Sequence, residues 1–234
     1  MEISPGITII GPALFIQREK LLVINDLHLG YEQALHQQGV LTPRFQLQEM
    51  TSQLEKIIKT AQPKKMIING DMKHEFGKIS AGEWREVLKF MDIFLPQVQE
   101  IIIIKGNHDP IIKPIAEKRG IQVVSGYRLG DILIAHGDEP VKTTAKRIVI
   151  GHEHPAITIR EGSKWEKYKC FLKGTWKRKE LIVVPSFNPL LEGSDILKEK
   201  SLSPFLKDIS EFNVYVVSKG EAFGFGKVKE MRKE

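Results

Sequence analysis

Cysteine is nearly missing from this 234-residue chain, and Cys170 is the only one. No internal disulfide can form, and at most one thiolate is on offer to a metal, so zinc-finger and disulfide-scaffold readings are excluded. Long apolar runs are also absent. None approaches the roughly 20 residues that cross a bilayer as a helix. Met1 to Ile10 lacks the charged start, long apolar stretch and small-residue cleavage site of a signal peptide, so a cytoplasmic protein without a membrane partner is expected. There is no internal repeat, low-complexity tract or linker, and one domain over residues 1–234 is expected. Acidic residues are the minority charge: 35 Lys and Arg against 29 Asp and Glu give a net charge of +6. That balance suits a polyanionic partner such as nucleic acid, but a lysine-rich solvated surface produces the same number.

What is present is a series of short, β-branched apolar runs, each ending in a polar motif. They are Leu21–Ile24, Met66–Ile68, Ile101–Ile104, Ile132–Ala135 and Ile148–Ile150. Such runs predict strands covered on both faces. Helical spacing lies between them. Thr42-Pro43 reads as an N-cap and first turn before Leu47, Met50, Leu54, Ile57 and Ile58. Ser80 and Glu83 form a capping-box pattern before the stripe Trp84, Val87, Leu88, Met91 and Leu95. Further strands are expected at Ile121–Val124, Ala156–Ile159, Tyr168–Leu172, Leu181–Val184 and Val214–Val217, which gives an α/β chain with a mixed sheet system and helices outside.

The polar motifs carry the chemistry. Asp26-Leu27-His28 follows the first run, with two side chains that an extended backbone would point the same way. Gly70-Asp71-Met72-Lys73-His74, Gly106-Asn107-His108-Asp109, His136-Gly137 and Gly151-His152-Glu153-His154 follow the others. Singly each is a turn sequence. Jointly they hold six of the seven histidines, leaving only His36, and they hold them where open α/β sheets gather ligands. Aspartate, asparagine and histidine without thiolate suit Mn²⁺ foremost, with Fe²⁺, Zn²⁺ or Ni²⁺ as alternatives. The ligands are too many for one tetrahedral ion. A carboxylate bridging two divalent ions fits the count, and such a pair clamps a phosphoryl group and activates water.

In this order the motifs resemble those of the calcineurin-like metallophosphoesterase superfamily. A closer similarity, to the SbcD-related phosphoesterases of archaea near the ligase-associated phosphoesterases of bacteria, rests on Asp26–Gly30 and on Pro185-Ser186-Phe187-Asn188-Pro189. The resemblance implies a four-layer α/β/β/α sandwich of two mixed sheets flanked by helices. It implies that Asp26, His28 and His154 hold one ion, that Asn107, His136 and His152 hold the other, and that Asp71 bridges them. His108 would be the histidine that protonates the leaving oxygen or stabilises the charge on phosphorus, with Asp109 orienting its ring. His74 stands where protein phosphatases have an aspartate and the nuclease branch a histidine; a helical turn after Asp71 would set it beside the metals. Large break-repair nucleases carry a capping domain and an ATPase-binding segment, for which the residues after His154 leave little room. The implied activity is hydrolysis of a phosphodiester, DNA, RNA or nucleotide. A phosphomonoesterase, a cyclic-nucleotide phosphodiesterase and a non-catalytic metal-binding scaffold are the alternatives.

One weaker signal interleaves bases with aromatics: Lys164, Trp165, Lys167, Tyr168, Lys169, Lys173, Trp176, Lys177, Arg178 and Lys179. It reads either as a nucleic-acid contact or as a hairpin with a solvated lysine face and inward aromatics.

Overall fold

The computed structural model describes residues 1–40, 45–77 and 79–231. Thr42 and Pro43 lie outside them. The first sheet runs β1 (Glu2–Ser4), β2 (Ile7–Ile10), β3 (Ala13–Ile16), β4 (Leu21–Asn25), β5 (Lys65–Asn69), β6 (Glu100–Ile104) and β7 (Gln122–Val124), hydrogen-bonded in that order. The strands up to β4 are antiparallel, and β4 to β7 are parallel. Strands β1 to β3 went unread in the sequence because segments of three or four residues show too little of the two-residue period. Among the described residues, four α-helices belong to this half: α1 (Tyr31–Gln37), α2 (Gln46–Ala61), α3 (Ala81–Phe94) and α4 (Lys113–Glu117). The capping box at the start of α3 is formed both ways, with Ser80 Oγ accepting from the Glu83 amide and Glu83 accepting from the Ser80 amide.

The second sheet comprises β8 (Tyr127–Leu129), β9 (Ile132–Ile134), β10 (Arg147–Ile150), β11 (Pro155–Glu161), β12 (Lys164–Trp176), β13 (Lys179–Val183), β14 (Ser194–Asp195), β15 (Asn213–Ser218) and β16 (Glu221–Lys227). Its main path is β14-β11-β12-β13-β10-β9-β8, with β15 joining β12 to β16. Strand β10 is parallel to both β9 and β13. The fold is thus two mixed sheets flanked by helices.

Side-chain alternation divides each central strand between two cores. Leu21, Val23, Ile67, Ile102 and Ile104 face the second sheet and meet Ile134, Val149, Phe171, Ile182 and Val184. Leu22, Ile24, Met66, Ile68 and Ile103 face outward onto Met50, Leu54, Val87, Phe90, Phe94 and Ile115 of the helices. Cutting one fully buried member such as Ile67 to alanine costs about 2–5 kcal/mol. The outer face of the second sheet is covered by Ile196, Phe205, Leu206, Ile209 and Phe212 and by Val228 of the short α5 (Val228–Met231), so an irregular segment does most of the work that long helices do opposite.

Register brings the chemistry together. Asn25 is level with Asn69, and Asn69 with Ile104, so β4, β5 and β6 end at one line. In the second sheet, β9 and β10 likewise run parallel, with Ile134 level with Val149. The residues that follow each strand therefore emerge at one edge of the sandwich.

Candidate metal centre

The loops at that edge adopt a backbone that local pattern does not predict. Asp26, His28, Asp71, His152 and His154 all have positive φ, between 42° and 63°. The segments Asp26–His28 and His152–His154 are therefore not extended, and their side chains converge through left-handed turns instead. Asp and His tolerate this region better than bulky residues do, yet it is strained and persists only where surrounding contacts over-determine it. Those contacts are present. His28 N–H donates to the Asp71 carbonyl at 2.8 Å, Leu29 N–H to that of Met72 at 2.9 Å, and His74 N–H to that of Leu29 at 3.0 Å. The chain after Asp71 runs alongside Leu29 through a parallel bridge at Lys73, so no helical turn follows Asp71. Gly106 packs so closely on Asp71 that any Cβ there would collide with its backbone nitrogen.

Two groups of ligand-type atoms form, and both contain Asp71. In one, Asp26, His28, Asp71 and His154 each offer an atom within 4.8 Å of the others; in the second, Asp71, His136 and His152 do so. The Asp71 carboxylate lies 3.7 Å from His28 Nε2 and 3.4 Å from His136 Nε2. Asp26 lies 3.4 Å from both His136 Nδ1 and His154 Nε2. Asn107 Oδ1 is 2.9 Å from His136 Nε2, and His152 Nδ1 is 3.2 Å from it. A third group, His28, His74 and His108, adjoins the first. The structure thus brings Asp26, His28, Asp71, Asn107, His136, His152 and His154 to one place, with His74 and His108 beside them.

The donor set fits divalent cations. Among the described residues, Asp26 Oδ1, His28 Nδ1 and Nε2, His136 Nδ1 and His154 Nε2 are buried without a hydrogen-bond partner, a costly state for polar atoms unless a cation takes their lone pairs. Electrostatics agree. Burial, with the neighbouring His154, drives His28 well below its usual pKa, which favours the neutral, ligating ring. Burial also lowers His152, assisted by His136. For Asp71, burial opposes ionisation, but the His136 and His28 rings and the His108 amide outweigh it and hold the carboxyl far below the usual range. At His136 burial again opposes charge, and the Asp71 and Asp26 carboxylates overcome it, lifting the ring to about 9. A cation and a proton thus compete for that imidazole.

A further expectation is corrected. Asp109 does not orient the His108 ring. Its buried carboxylate accepts from the amides of Met72 at 3.1 Å, Lys73 at 3.3 Å and Gly106 at 3.1 Å, tying the loop after β5 to the loop after β6. Burial and the nearby Asp71 charge push Asp109 up to about 6, against the pull of those amides. The His108 ring is held by the His74 carbonyl, 2.6 Å from Nδ1. A carbonyl only accepts, so Nδ1 carries the hydrogen and Nε2 is the atom left for chemistry.

Several contributors escaped the sequence reading. Ser186 Oγ donates to the Asp26 carbonyl at 2.7 Å, the Phe187 amide to the Asn25 carbonyl at 2.8 Å, and Asn188 Nδ2 approaches the His28 carbonyl at 3.5 Å. The Pro185–Pro189 run therefore braces the first ligand loop from behind. Lys169 in turn donates to the carbonyls of Ser186 and Asn188, and burial pushes its amine down to about 7. The proline-flanked Ser and Asn were the available signal; Lys169 stood out only as one base of the Lys164–Lys179 segment, and nothing in that pattern points to a buried brace. In the basic segment, Trp176, where β12 pairs with β13, packs on Phe205 at 4.6 Å, while Trp165, where β12 pairs with β11, is 60% exposed between Arg160 and Lys198. The inward-aromatic reading holds for the first and fails for the second.

The sequence profile of the calcineurin-like phosphoesterases matches residues 19–217, and the chain belongs to that family, a class of metal-dependent hydrolases. Among solved structures, it is similar to the nuclease MPE of Pseudomonas putida, with 16% identity, 94% of each chain covered and a TM-score of 0.64. A phosphoesterase of E. coli, Yfce, shares 12% identity over 88% of this chain and 98% of its own, with a TM-score of 0.42. No curated protein matches. Among the described residues no helix is long and apolar enough to cross a membrane.

Proposed function

We propose that this chain is a two-metal phosphodiesterase acting on nucleic acid or a nucleotide diester, allied to the SbcD-related branch. The observation that carries the reading is the Asp71 carboxylate, common to both ligand groups. Asp26, His28 and His154 would hold one ion and Asn107, His136 and His152 the other, with Asp71 shared between them. When bound, two divalent ions, Mn²⁺ foremost, neutralise phosphoryl charge and lower the pKa of a water. The chain's own residues supply the rest. His108, fixed through Nδ1 by the His74 carbonyl, presents Nε2 to the departing oxygen; entering the step as imidazolium, it gives that oxygen the Nε2 proton and is left neutral with its Nδ1 hydrogen in place. His74, whose ring centroid lies 5.5 Å from that of His28 and 5.9 Å from that of His108, donates to a non-bridging phosphate oxygen. Burial, with His108 beside it, lowers its pKa, so it does so as a neutral ring. Asp109 acts through the backbone rather than on substrate.

The test is turnover resolved by metal. Purified protein is assayed with Mn²⁺, Zn²⁺, Ni²⁺ and Mg²⁺ on single-stranded DNA, RNA, a chromogenic diester and a nucleotide monoester. Metal-dependent diester hydrolysis is expected. Preference for the monoester or for a cyclic nucleotide would replace the diesterase reading, and metal binding without any hydrolysis would leave a scaffold.

A further inference from the structure

The side chain that stands out at the rim of the metal centre is Phe76, 65% exposed to solvent. An isolated exposed apolar residue needs no explanation by itself. Phe76 is not isolated. Its ring meets that of His108 edge-on at 5.1 Å, and His108 meets His28 at 5.0 Å. On the other flank Tyr31 meets His74 at 4.8 Å. The rings form one continuous series from the buried ligand His28 out to Phe76, so a flat group bound over Phe76 lies next to the metal centre.

The backbone under Phe76 is anchored, while its ring touches His108 and is otherwise largely exposed. Lys73 Nζ, fully buried, donates to the Glu75 carbonyl. The Glu75 amide donates to Glu83 Oε1 at 2.7 Å, and Glu83 is fixed at the start of α3 by the capping box. The His74 carbonyl takes the His108 ring at 2.6 Å. A mobile loop tip would lose much of any binding energy to ordering, whereas a loop pinned at these points presents its aromatic face already placed.

We propose that Phe76 is the stacking platform for the nucleobase adjoining the scissile phosphate of a single-stranded nucleic acid. This rests on the diesterase reading and deepens it. A base offers a π-face whatever its identity, so the platform selects for an unpaired nucleotide rather than for a sequence. A base within a duplex has both faces already stacked, which gives the preference for single strands. The interaction is made in the ground state and kept in the transition state, so it appears in KM more than in kcat.

The experiment is a two-by-two comparison. Wild type and Phe76→Ala are assayed on a single-stranded oligonucleotide with an ordinary base next to the cleaved bond and on the same strand with that nucleotide abasic. Stacking of this kind raises KM roughly 5- to 150-fold when lost. Wild type should lose that factor on the abasic strand. Phe76→Ala should lose it on the ordinary strand and show little further loss on the abasic one. Phe76→Tyr should retain the preference and Phe76→Leu should not. An equal penalty for base removal in wild type and Phe76→Ala overturns the proposal. A second readout does not need turnover: metal-free protein is titrated with the same strand carrying 2-aminopurine at that position. Quenching by wild type and not by Phe76→Ala supports stacking, and equal quenching by both refutes it. If the quench difference is seen but no strand is cut with any metal, the hydrolytic reading falls and the stacking site stands.

Discussion

Replacing Asp109 by asparagine separates a structural clamp from a chemical partner of His108. The carboxylate serves three main-chain N–H groups, those of Met72, Lys73 and Gly106, in a fully buried position. Asparagine keeps the shape but has one acceptor oxygen, and its amide nitrogen faces a donor. At least one buried amide is left unpaired, and a charge-assisted interaction is lost. An unsatisfied buried donor costs about 1–3 kcal/mol, and hydrogen bonds to charged groups contribute about 1.5–3 kcal/mol. Against this, asparagine is spared the burial and the Asp71 repulsion that push the carboxyl up to about 6, so a net loss of about 1–3 kcal/mol remains. For a chain of this size each kcal/mol moves the melting midpoint by roughly 2–4 °C, so Tm should fall by about 2–12 °C. Because the partners are backbone groups, metal-free protein should show the drop too. Calorimetry of wild type and Asp109→Asn, with and without divalent metal, measures it. A variant that melts and binds metal like wild type but turns over slowly would refute the clamp and return Asp109 to the chemistry of His108.

Three further outcomes are expected. Asp71→Ala should lose both ions after dialysis and His28→Ala mainly one, as read by elemental analysis; full two-metal content in Asp71→Ala would refute the bridging assignment. His108→Ala should keep its metals and lose turnover about 10²–10⁴-fold on a sugar-alkoxide leaving group. It should lose far less on nitrophenolate, which departs without a proton, and equal losses would exclude the proton-donor role. Lys169→Met should untie the carbonyls of Ser186 and Asn188 and weaken metal binding about 10–100-fold in calorimetric titration, the usual scale for groups behind the ligands; wild-type affinity would show that the Pro185–Pro189 run does not brace Asp26 and His28.

By itself, the sequence determined the alternation of buried strands and helices, the capping box at Ser80, and the gathering of Asp26, His28, Asp71, Asn107, His136, His152 and His154. Those features were legible because each depends on short-range pattern: a run of β-branched residues makes a buried strand, and a glycine-rich polar motif ends it. Parallel strands in register then carry every such ending to one edge. Only the tertiary structure decided what each group does there. The left-handed turns at Asp26 and Asp71 are imposed by contacts with loops far off in sequence, such as Ser186 on the Asp26 carbonyl. Asp109 adjoins His108 in the chain, and adjacency suggested a partnership. The buried amides of Met72 and Lys73, from 37 and 36 residues away, claim its carboxylate instead. Whether an aromatic is buried is likewise not written in its neighbours: Trp176 found Phe205, and Phe76, on a loop anchored beneath it, was left largely exposed beside the metal centre. Hydrogen-bond satisfaction and packing are settled by whichever groups the fold brings within reach, and for these residues the partners come from elsewhere in the chain.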